Sequence, residues 1–287
     1  MKLGVSSYSL YKAMDKKEMN IFEVMDWVKE IGGSHFEVVP LGFDLTEKQE
    51  LADDIRSHAL KLGLELSNYA IGASFVDLTE EALENEIERV KLHVRIADRL
   101  GIRLMRHDIA PRAKEEADIA RYYDDLPILV NACREIADYA SQYGITTSIE
   151  NHGYHVQESD RVKLLVHLVD RDNFKTTLDV GNFLCADENP LTAVANNIGI
   201  ASMVHLKDFY YRPEGQNPGE GWFGTKYGNH LRGAITGQGD LDMYGILRII
   251  KNFGYKGYIS IEFEGVEDCI YGTKAGFDNA RRIWNEV

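Results

Sequence analysis

The segment YGILRIIKNFGYKGYISIEF, residues 244–263, contains one complete unit of the pattern that determines the fold. Residues 244–253 carry apolar side chains at helical spacing, and Gly254 stands where a helix needs a left-handed C-terminal residue. From Tyr258 onward, apolar and polar residues alternate, which is typical of a β-strand. A helix, a glycine and a short strand in this order indicate a parallel β/α unit, because a parallel neighbour needs a crossover helix.

The same unit recurs along the chain, with Gly32, Gly63, Gly101 and Gly144 in the position of Gly254. Eight strand-like runs in a chain of 287 residues predict a closed (β/α)₈ TIM barrel, a single domain over residues 1–287. An open doubly wound sheet is the second choice, weakened because no glycine-rich phosphate motif follows the first strand. The runs are GVSSYSL, HFEVVP, LELSNYAI, RLMRHDI, TTSIENH, FKTTLDVGN, SMVHLKDF and YISIEF.

Residues 209–240 interrupt the pattern between the seventh and eighth strands. The segment is rich in Gly, Pro and aromatic residues and has no clear periodicity, so we predict a long loop. Long loops in compact domains are usually lids or binding loops. Arg212, Trp222, His230 and Arg232 are therefore candidate contacts of a lid with the substrate.

Composition limits the classes of function. A content of 44% hydrophobic residues indicates a globular protein, and a formal net charge of −14 disfavours binding to nucleic acid or anionic membranes. The N-terminus lacks the features of a signal peptide, and no apolar run is long enough to span a bilayer, so we expect a cytoplasmic protein. The three cysteines are scattered and lack CxxC spacing, which predicts neither disulfides nor a thiolate metal site.

Strands five to eight each carry a ligand-type residue on the face opposite their apolar side chains: Glu150, Asp179, His205 and Glu262. In a (β/α)₈ barrel that face points inward, so the four should meet at the C-terminal mouth. Three carboxylates repel one another unless a cation lies among them. Three carboxylates and one imidazole suit one divalent ion, with Mn²⁺ as first choice and Mg²⁺, Co²⁺ or Zn²⁺ as alternatives. A buried ion-pair network is the competing interpretation for any one of these residues.

Five motifs resemble the xylose isomerase-like TIM barrel superfamily, and within it the sugar phosphate isomerase/epimerase family. The resemblance covers nearly the whole chain and implies that the four residues above bind a single divalent metal ion. It also implies that Glu150 and Glu262 are catalytic, one removing a proton beside a carbonyl and the other delivering one. The motifs are SIEN (148–151), LDVGN (178–182), VHLKD (204–208), GQGDLD (237–242) and GYISIEFEG (257–265).

Other residues are candidates for substrate binding. His152 shares the inward face of the fifth strand, where a hydrogen bond to a metal ligand is an alternative role. Lys207 could bind a hydroxyl or phosphate, or form a salt bridge with an acidic ligand. His107 could face the mouth, although a lone strand histidine is more often a core residue. Asn182 replaces the histidine of the DxxH motif found in several relatives, and can bind a hydroxyl but is a poor zinc ligand. Arg212, in the predicted long loop, is the remaining candidate for substrate binding.

These observations predict a metal-dependent isomerase or epimerase of carbohydrate metabolism, acting on a small sugar, ketose or keto-polyol. A metal bound to the carbonyl and its neighbouring hydroxyl would stabilise the enediolate formed when the adjacent carbon loses a proton. A lyase on the same scaffold, an inosose dehydratase-like enzyme that dehydrates a cyclic keto-polyol, is the alternative. An endonuclease IV-like DNA-repair nuclease is a distant alternative, which the negative charge and Asn182 disfavour. A metal-free binding barrel is the remaining interpretation, and a homo-oligomer is compatible with the sequence.

Overall fold

The computed structural model describes residues 1–216 and 218–287, and the strands lie in the order that the sequence predicts. Within the described residues no helix is both long and apolar enough to cross a membrane. The strands are β1 (Lys2–Ser6), β2 (His35–Val38), β3 (Glu65–Ile71), β4 (Leu104–His107), β5 (Thr146–Glu150), β6 (Phe174–Asp179), β7 (Ala201–Leu206), β8 (Asp208–Arg212), β9 (Phe223–Gly224), β10 (His230–Ala234) and β11 (Tyr258–Ile261).

The helices follow the strands and cover the outside of the sheet. Gly63 and Gly254 end the third and eighth helices with φ of +58° and +79°, as the sequence predicts for left-handed helix ends. The helices are α1 (Tyr11–Asp15), α2 (Ile21–Glu30), α3 (Glu50–Leu62), α4 (Glu80–Leu100), α5 (Ile119–Ser141), α6 (Ser159–Val169), α7 (Pro190–Asn197), α8 (Met243–Phe253) and α9 (Cys269–Glu286).

Eight parallel strands close into a barrel in the order β1-β11-β7-β6-β5-β4-β3-β2. The predicted (β/α)₈ fold is therefore confirmed, and each predicted run overlaps one barrel strand. Most runs extend past the C-terminal end of their strand, because the chain there turns outward into the loops that form the mouth. Glu262, for example, follows β11 directly.

The two faces of the barrel strands differ in chemistry. Outward-facing side chains such as Met105, Leu178 and Val204 are fully buried against the helices and form the apolar core. Inside the barrel, below the mouth, Nε2–H of His35 donates to the Ile259 carbonyl oxygen at 3.0 Å, and Nδ1 of the same ring lies 2.9 Å from Ser67 Oγ. A polar layer therefore underlies the mouth.

The long connection between barrel strands β7 and β11 contains more structure than the sequence analysis predicted. β8, β10 and β9 form a three-stranded antiparallel sheet in that order, with Leu231 opposite Tyr211. Phe209 and Leu231 are fully buried beneath it. These strands are short and separated by glycine-rich turns, so their alternation is too brief to be recognised in the sequence alone.

Candidate metal centre at the barrel mouth

A cavity of about 220 Å³ opens at the C-terminal end of the barrel. A second cavity of about 130 Å³ adjoins it and shares His152, Lys207 and Glu264 with it. Phe223, from the antiparallel sheet, lines the second cavity, so this sheet covers part of the mouth. Polar groups of the first cavity come from strands across the barrel and from the loops after them: Tyr8, Arg106, Asp108, Glu150, His152, His205, Lys207, Glu262 and Glu264.

The structure brings together the four predicted metal ligands. Each offers one oxygen or nitrogen atom, and these atoms all lie within 4.8 Å of one another: Glu150, Asp179, His205 and Glu262. All four side chains are buried, and Asp179 lies opposite His205 in the register of β6 and β7. Strand alternation therefore places them at one depth, as predicted.

The imidazole of His205 is fixed from behind. Its Nε2–H donates to the Glu37 carboxylate, at 3.0 Å from Oε1 and 2.9 Å from Oε2, and Asn68 Nδ2 donates to Glu37 Oε1 at 2.8 Å. Because a carboxylate only accepts, Nε2 carries the hydrogen and Nδ1 points into the cluster, 3.5 Å from Glu262 Oε2. Burial lowers the pKa of His205, but Glu37 and Glu262 outweigh it and raise the pKa well above its usual value. A proton and a metal ion would therefore compete for Nδ1.

Glu150 is held by a guanidinium that the sequence analysis missed. Arg106 donates to Glu150 Oε2 from Nε at 2.7 Å and also from Nη2. Its Nη2 lies 3.3 Å from Asp108 Oδ1, and its Nη1 donates to the Ile71 carbonyl oxygen at 3.2 Å. Burial raises the pKa of the Glu150 carboxyl, but Arg106 outweighs it and holds the pKa far below its usual range. Alternation in RLMRHDI, which puts Arg106 and Leu104 on one face, was the available signal.

Lys207 forms the salt bridges that were its alternative role. Its Nζ lies 2.9 Å from Glu262 Oε2, 3.2 Å from Asp179 Oδ2 and 3.4 Å from Glu264 Oε2. Burial raises the pKa of the Glu262 carboxyl, but Lys207 and then His205 outweigh it and hold the pKa well below its usual range. One ammonium group is thus shared by three carboxylates.

Asn182 and His152 occupy different parts of the mouth. Asn182 Nδ2 donates to Glu150 Oε1 at 3.1 Å, and its Oδ1 accepts from Lys207 Nζ at 3.3 Å, so it braces two charged groups. His152 is half-exposed at the rim, with Nδ1 3.5 Å from Asp108 Oδ1. Both line the second cavity and lie where a substrate could reach them.

Two predicted substrate contacts lie away from the cavities. His107 is fully buried on the outer face of β4, with its ring centroid 5.9 Å from that of Phe75, and its Nδ1–H donates to the Asp108 carbonyl oxygen. Arg212 is exposed on β8, where Nη1 lies 3.4 Å from Asp240 Oδ2. His107 is a core residue because the strand register turns it outward, and Arg212 lies at the protein surface.

The chemistry of the donor set fits a divalent ion. His205 Nδ1 and Asp179 Oδ2 are buried yet form no hydrogen bond. Asp179 Oδ1 accepts from the backbone N–H of Gly181 at 2.8 Å and of Asn182 at 2.9 Å, which orients Oδ2 toward the cluster. Burial raises the pKa of Asp179 to about 7 even though Lys207 opposes it, and a bound divalent ion would favour the ionised form of this carboxyl.

Comparison with known proteins gives consistent results. An inosose dehydratase of Clostridium botulinum (strain Alaska E43 / Type E3) is 24% identical over 218 residues, 71% of this chain and 72% of its own. The solved 3-keto-D-glucoside 4-epimerase YcjR of E. coli superposes with a TM-score of 0.73 at 16% identity, covering 98% of this chain and 99% of that chain. The IolI protein with a bound zinc atom superposes with a TM-score of 0.73 at 19% identity, over 100% and 97%.

At these identities the solved structures show likeness of fold. The family model described as the xylose isomerase-like TIM barrel matches residues 25–286, which is most of the chain. This match agrees with the closed eight-stranded barrel and with the resemblance of its strand-end motifs. The chain belongs to the xylose isomerase-like TIM barrel family.

Proposed function

We propose that this protein is a divalent-metal-dependent enzyme that moves a proton at the carbon beside the carbonyl of a small sugar, ketose or keto-polyol. The observation that carries the proposal is the buried cluster of Glu150, Asp179, His205 and Glu262 at the floor of an open cavity. A divalent ion held by these residues would polarise the substrate carbonyl and so make the neighbouring C–H group more acidic. Mn²⁺ remains our first choice, and the IolI relative supports Zn²⁺ as an alternative.

Glu262 is the better candidate for the base that removes this proton. Its side chain is 9% exposed compared with 1% for Glu150, so it is more accessible from the cavity. Lys207 and His205 keep its carboxyl ionised at neutral pH, which a base requires. Epimerisation also needs a proton delivered from the other side of the cluster, where Glu150 lies; because Arg106 keeps this carboxyl ionised, Glu150 would have to accept that proton from solvent and pass it to the substrate.

Dehydration is the second candidate, because the curated relative is named inosose dehydratase. In this reaction Glu262 would take the C–H proton, and the hydroxyl on the next carbon would leave as water. The Lys207 ammonium, 2.9 Å from Glu262 Oε2, would protonate the leaving oxygen and then recover the proton from Glu262. The product would be an enone with a new ultraviolet absorbance, whereas epimerisation gives none.

Deuterium exchange at the carbon beside the carbonyl tests the proposal. We expect metal-loaded protein in D₂O to label at least one ketose or keto-polyol, and EDTA to abolish the labelling. At a Mn²⁺ concentration that keeps the variant fully loaded, as metal analysis must verify, Glu262→Gln should slow it at least about 10³-fold, because the base is lost. Glu88→Gln, the same substitution at an exposed residue of α4, is the control and should not slow it. Full exchange by the metal-loaded Glu262→Gln protein would refute the role of Glu262.

A further inference from the structure

We infer that the mouth accepts an uncharged polyhydroxylated carbonyl compound and rejects the corresponding phosphate esters. The inference rests on the proposed function and specifies its substrate class. It is carried by the charges that line the cavity and by the loops in which a phosphate group would have to bind.

The cavity has an excess of negative charge. Among its described lining residues, Arg106 and Lys207 are the permanent cations. Four carboxylates also line it: Asp108, Glu150, Glu262 and Glu264. Both cations are already engaged, because Arg106 contacts two carboxylates and Lys207 contacts three. A divalent ion would neutralise the carboxylates that bind it. With the ion bound, the charges of the lining come close to balance, and an added phosphate would find both Arg106 and Lys207 already paired with carboxylates.

The usual phosphate position of the fold is filled by the chain itself. In (β/α)₈ barrels, phosphate is commonly bound by backbone N–H groups of the loops after the last two strands. Here, the Asp208 carboxylate accepts from the N–H of Gly237 at 2.8 Å and Gly239 at 3.0 Å, and also lies 3.3 Å from the N of Leu241. A Cβ at Gly239 would lie 2.1 Å from Asp208 Oδ1, so the glycine leaves room for this carboxylate.

The helices that begin after these loops also have backbone N–H groups at their N-termini bonded to aspartates of the chain. Asp242 accepts from the N–H of Gly245 at 2.8 Å at the start of α8, and Asp268 accepts from the N–H of Tyr271 at 2.8 Å at the start of α9. Backbone groups at a helix start are a common anion site, and here each is capped by an aspartate. Ester phosphate would have to displace a covalently attached anion.

The same lining suits hydroxyl groups. A carboxylate accepts a hydrogen bond from a hydroxyl, whereas a phosphate dianion has no hydrogen to donate. Glu264 and Asp108 stand at the rim with partly exposed side chains, 26% and 17%. Tyr8 adds a phenol whose oxygen lies 3.4 Å from Glu264 Oε2. A neutral polyol can donate to these acceptors from every hydroxyl, whereas the phosphorylated position of its ester has no hydrogen to donate.

Matched pairs of ligands test the inference: D-fructose, D-psicose and D-tagatose, each against its 6-phosphate. Titration of the Mn²⁺-loaded protein, read by calorimetry and by deuterium exchange, should show binding of at least one neutral ketose. Its ester should bind at least about 100-fold more weakly. Equal or tighter binding of an ester, or no binding of any neutral ketose, overturns the inference. Binding without exchange by any ligand would instead count against the proposed function.

Two variants identify the cause of the discrimination. Glu264→Gln removes one rim charge and should narrow the preference for the neutral ketose over its ester several-fold.

Asp208→Ala empties the backbone cradle and should create measurable binding of inorganic phosphate. Asp208→Asn leaves the cradle filled and should not show this binding. An unchanged preference in a folded Glu264→Gln protein would refute the electrostatic cause.

Discussion

The two sides of the mouth hold their glutamates in different ways. On the Glu150 side, one guanidinium is committed to one main partner, since Arg106 donates two hydrogen bonds to the same oxygen. On the Glu262 side, the ammonium of Lys207 is shared among three carboxylates. A guanidinium fixes the direction of its partner, whereas an ammonium acts as a mobile point charge. The Glu150 side is therefore built to orient, and the Glu262 side can exchange a proton without losing its countercharge.

Removing the shared cation should have the largest effect. Lys207→Met leaves three carboxylates without their ammonium, so we expect the metal-free protein to lose about 3–5 kcal/mol of unfolding free energy. Arg106→Met uncovers chiefly Glu150 and should cost less. Urea denaturation in EDTA measures both losses, and saturating Mn²⁺ should restore part of the loss in Lys207→Met. A larger loss in Arg106→Met would break the comparison between the two sides.

Glu37 tests how much the Glu262 side depends on the support of His205, because Glu37 reaches the cluster through this imidazole. In Glu37→Gln the ring is held less firmly and its Nδ1 is a weaker ligand, so we expect metal affinity to fall about 10- to 100-fold. Metal titration of the apoprotein measures this change. Ser260→Ala is the control, since Ser260 lies beside His205 in the register and its buried hydroxyl has no hydrogen-bond partner. Unchanged affinity in Glu37→Gln would show that His205 needs no such support.

His107 follows Arg106 on β4 but lies on the outer face of the strand, so it should affect stability through its burial in the core. Burial lowers the pKa of His107 to about 4, so the folded protein keeps it neutral while the unfolded chain is protonated below about 6.5. Stability should therefore fall as the pH drops, by about 1 kcal/mol from this residue between pH 7 and 5.5. Urea midpoints across this range should change less in His107→Asn. An identical pH dependence would contradict the neutral, buried state.

Phe223 should have the smallest effect. It covers the second cavity, which touches the Glu262 side through Lys207 and Glu264. Phe223→Ala removes an apolar surface from the substrate, so we expect KM to rise about five-fold with metal affinity unchanged. Tyr227→Ala, an exposed aromatic of the same segment that does not line the cavity, is the control. Steady-state kinetics measures KM in both variants. An equal rise of KM in Phe223→Ala and Tyr227→Ala would mean that the antiparallel sheet acts only as a scaffold.

The convergence of the four candidate metal ligands could be predicted because their signal is local. Alternation along each strand places Glu150 or His205 on the inward face, and a parallel barrel brings the ends of successive strands to one rim. Arg106 carries the same signal and could have been predicted from it. His107, the next residue, was a candidate for the mouth but lies on the outer face of β4. In a short strand the pattern does not show which of two neighbouring polar residues faces inward.

Other features depend on contacts between distant residues. Glu37 meets His205 from 168 positions away and across the barrel. Asp208 fills the backbone cradle only because β8 leaves the barrel directly after Lys207. No pattern within a single segment predicts either contact, since each depends on the closure of the sheet and on the path of a loop.

The sequence by itself determined the parallel β/α order, the left-handed helix ends and the inward direction of the four candidate ligands. These depend on side-chain period and on glycine conformation, which are properties of short segments. Only the tertiary structure decided which cations neutralise which carboxylates, how the imidazole is aimed and how the outer sheet covers the mouth. Charge pairing inside a barrel depends on distances of a few ångströms between strands far apart in the chain, and barrel closure sets those distances.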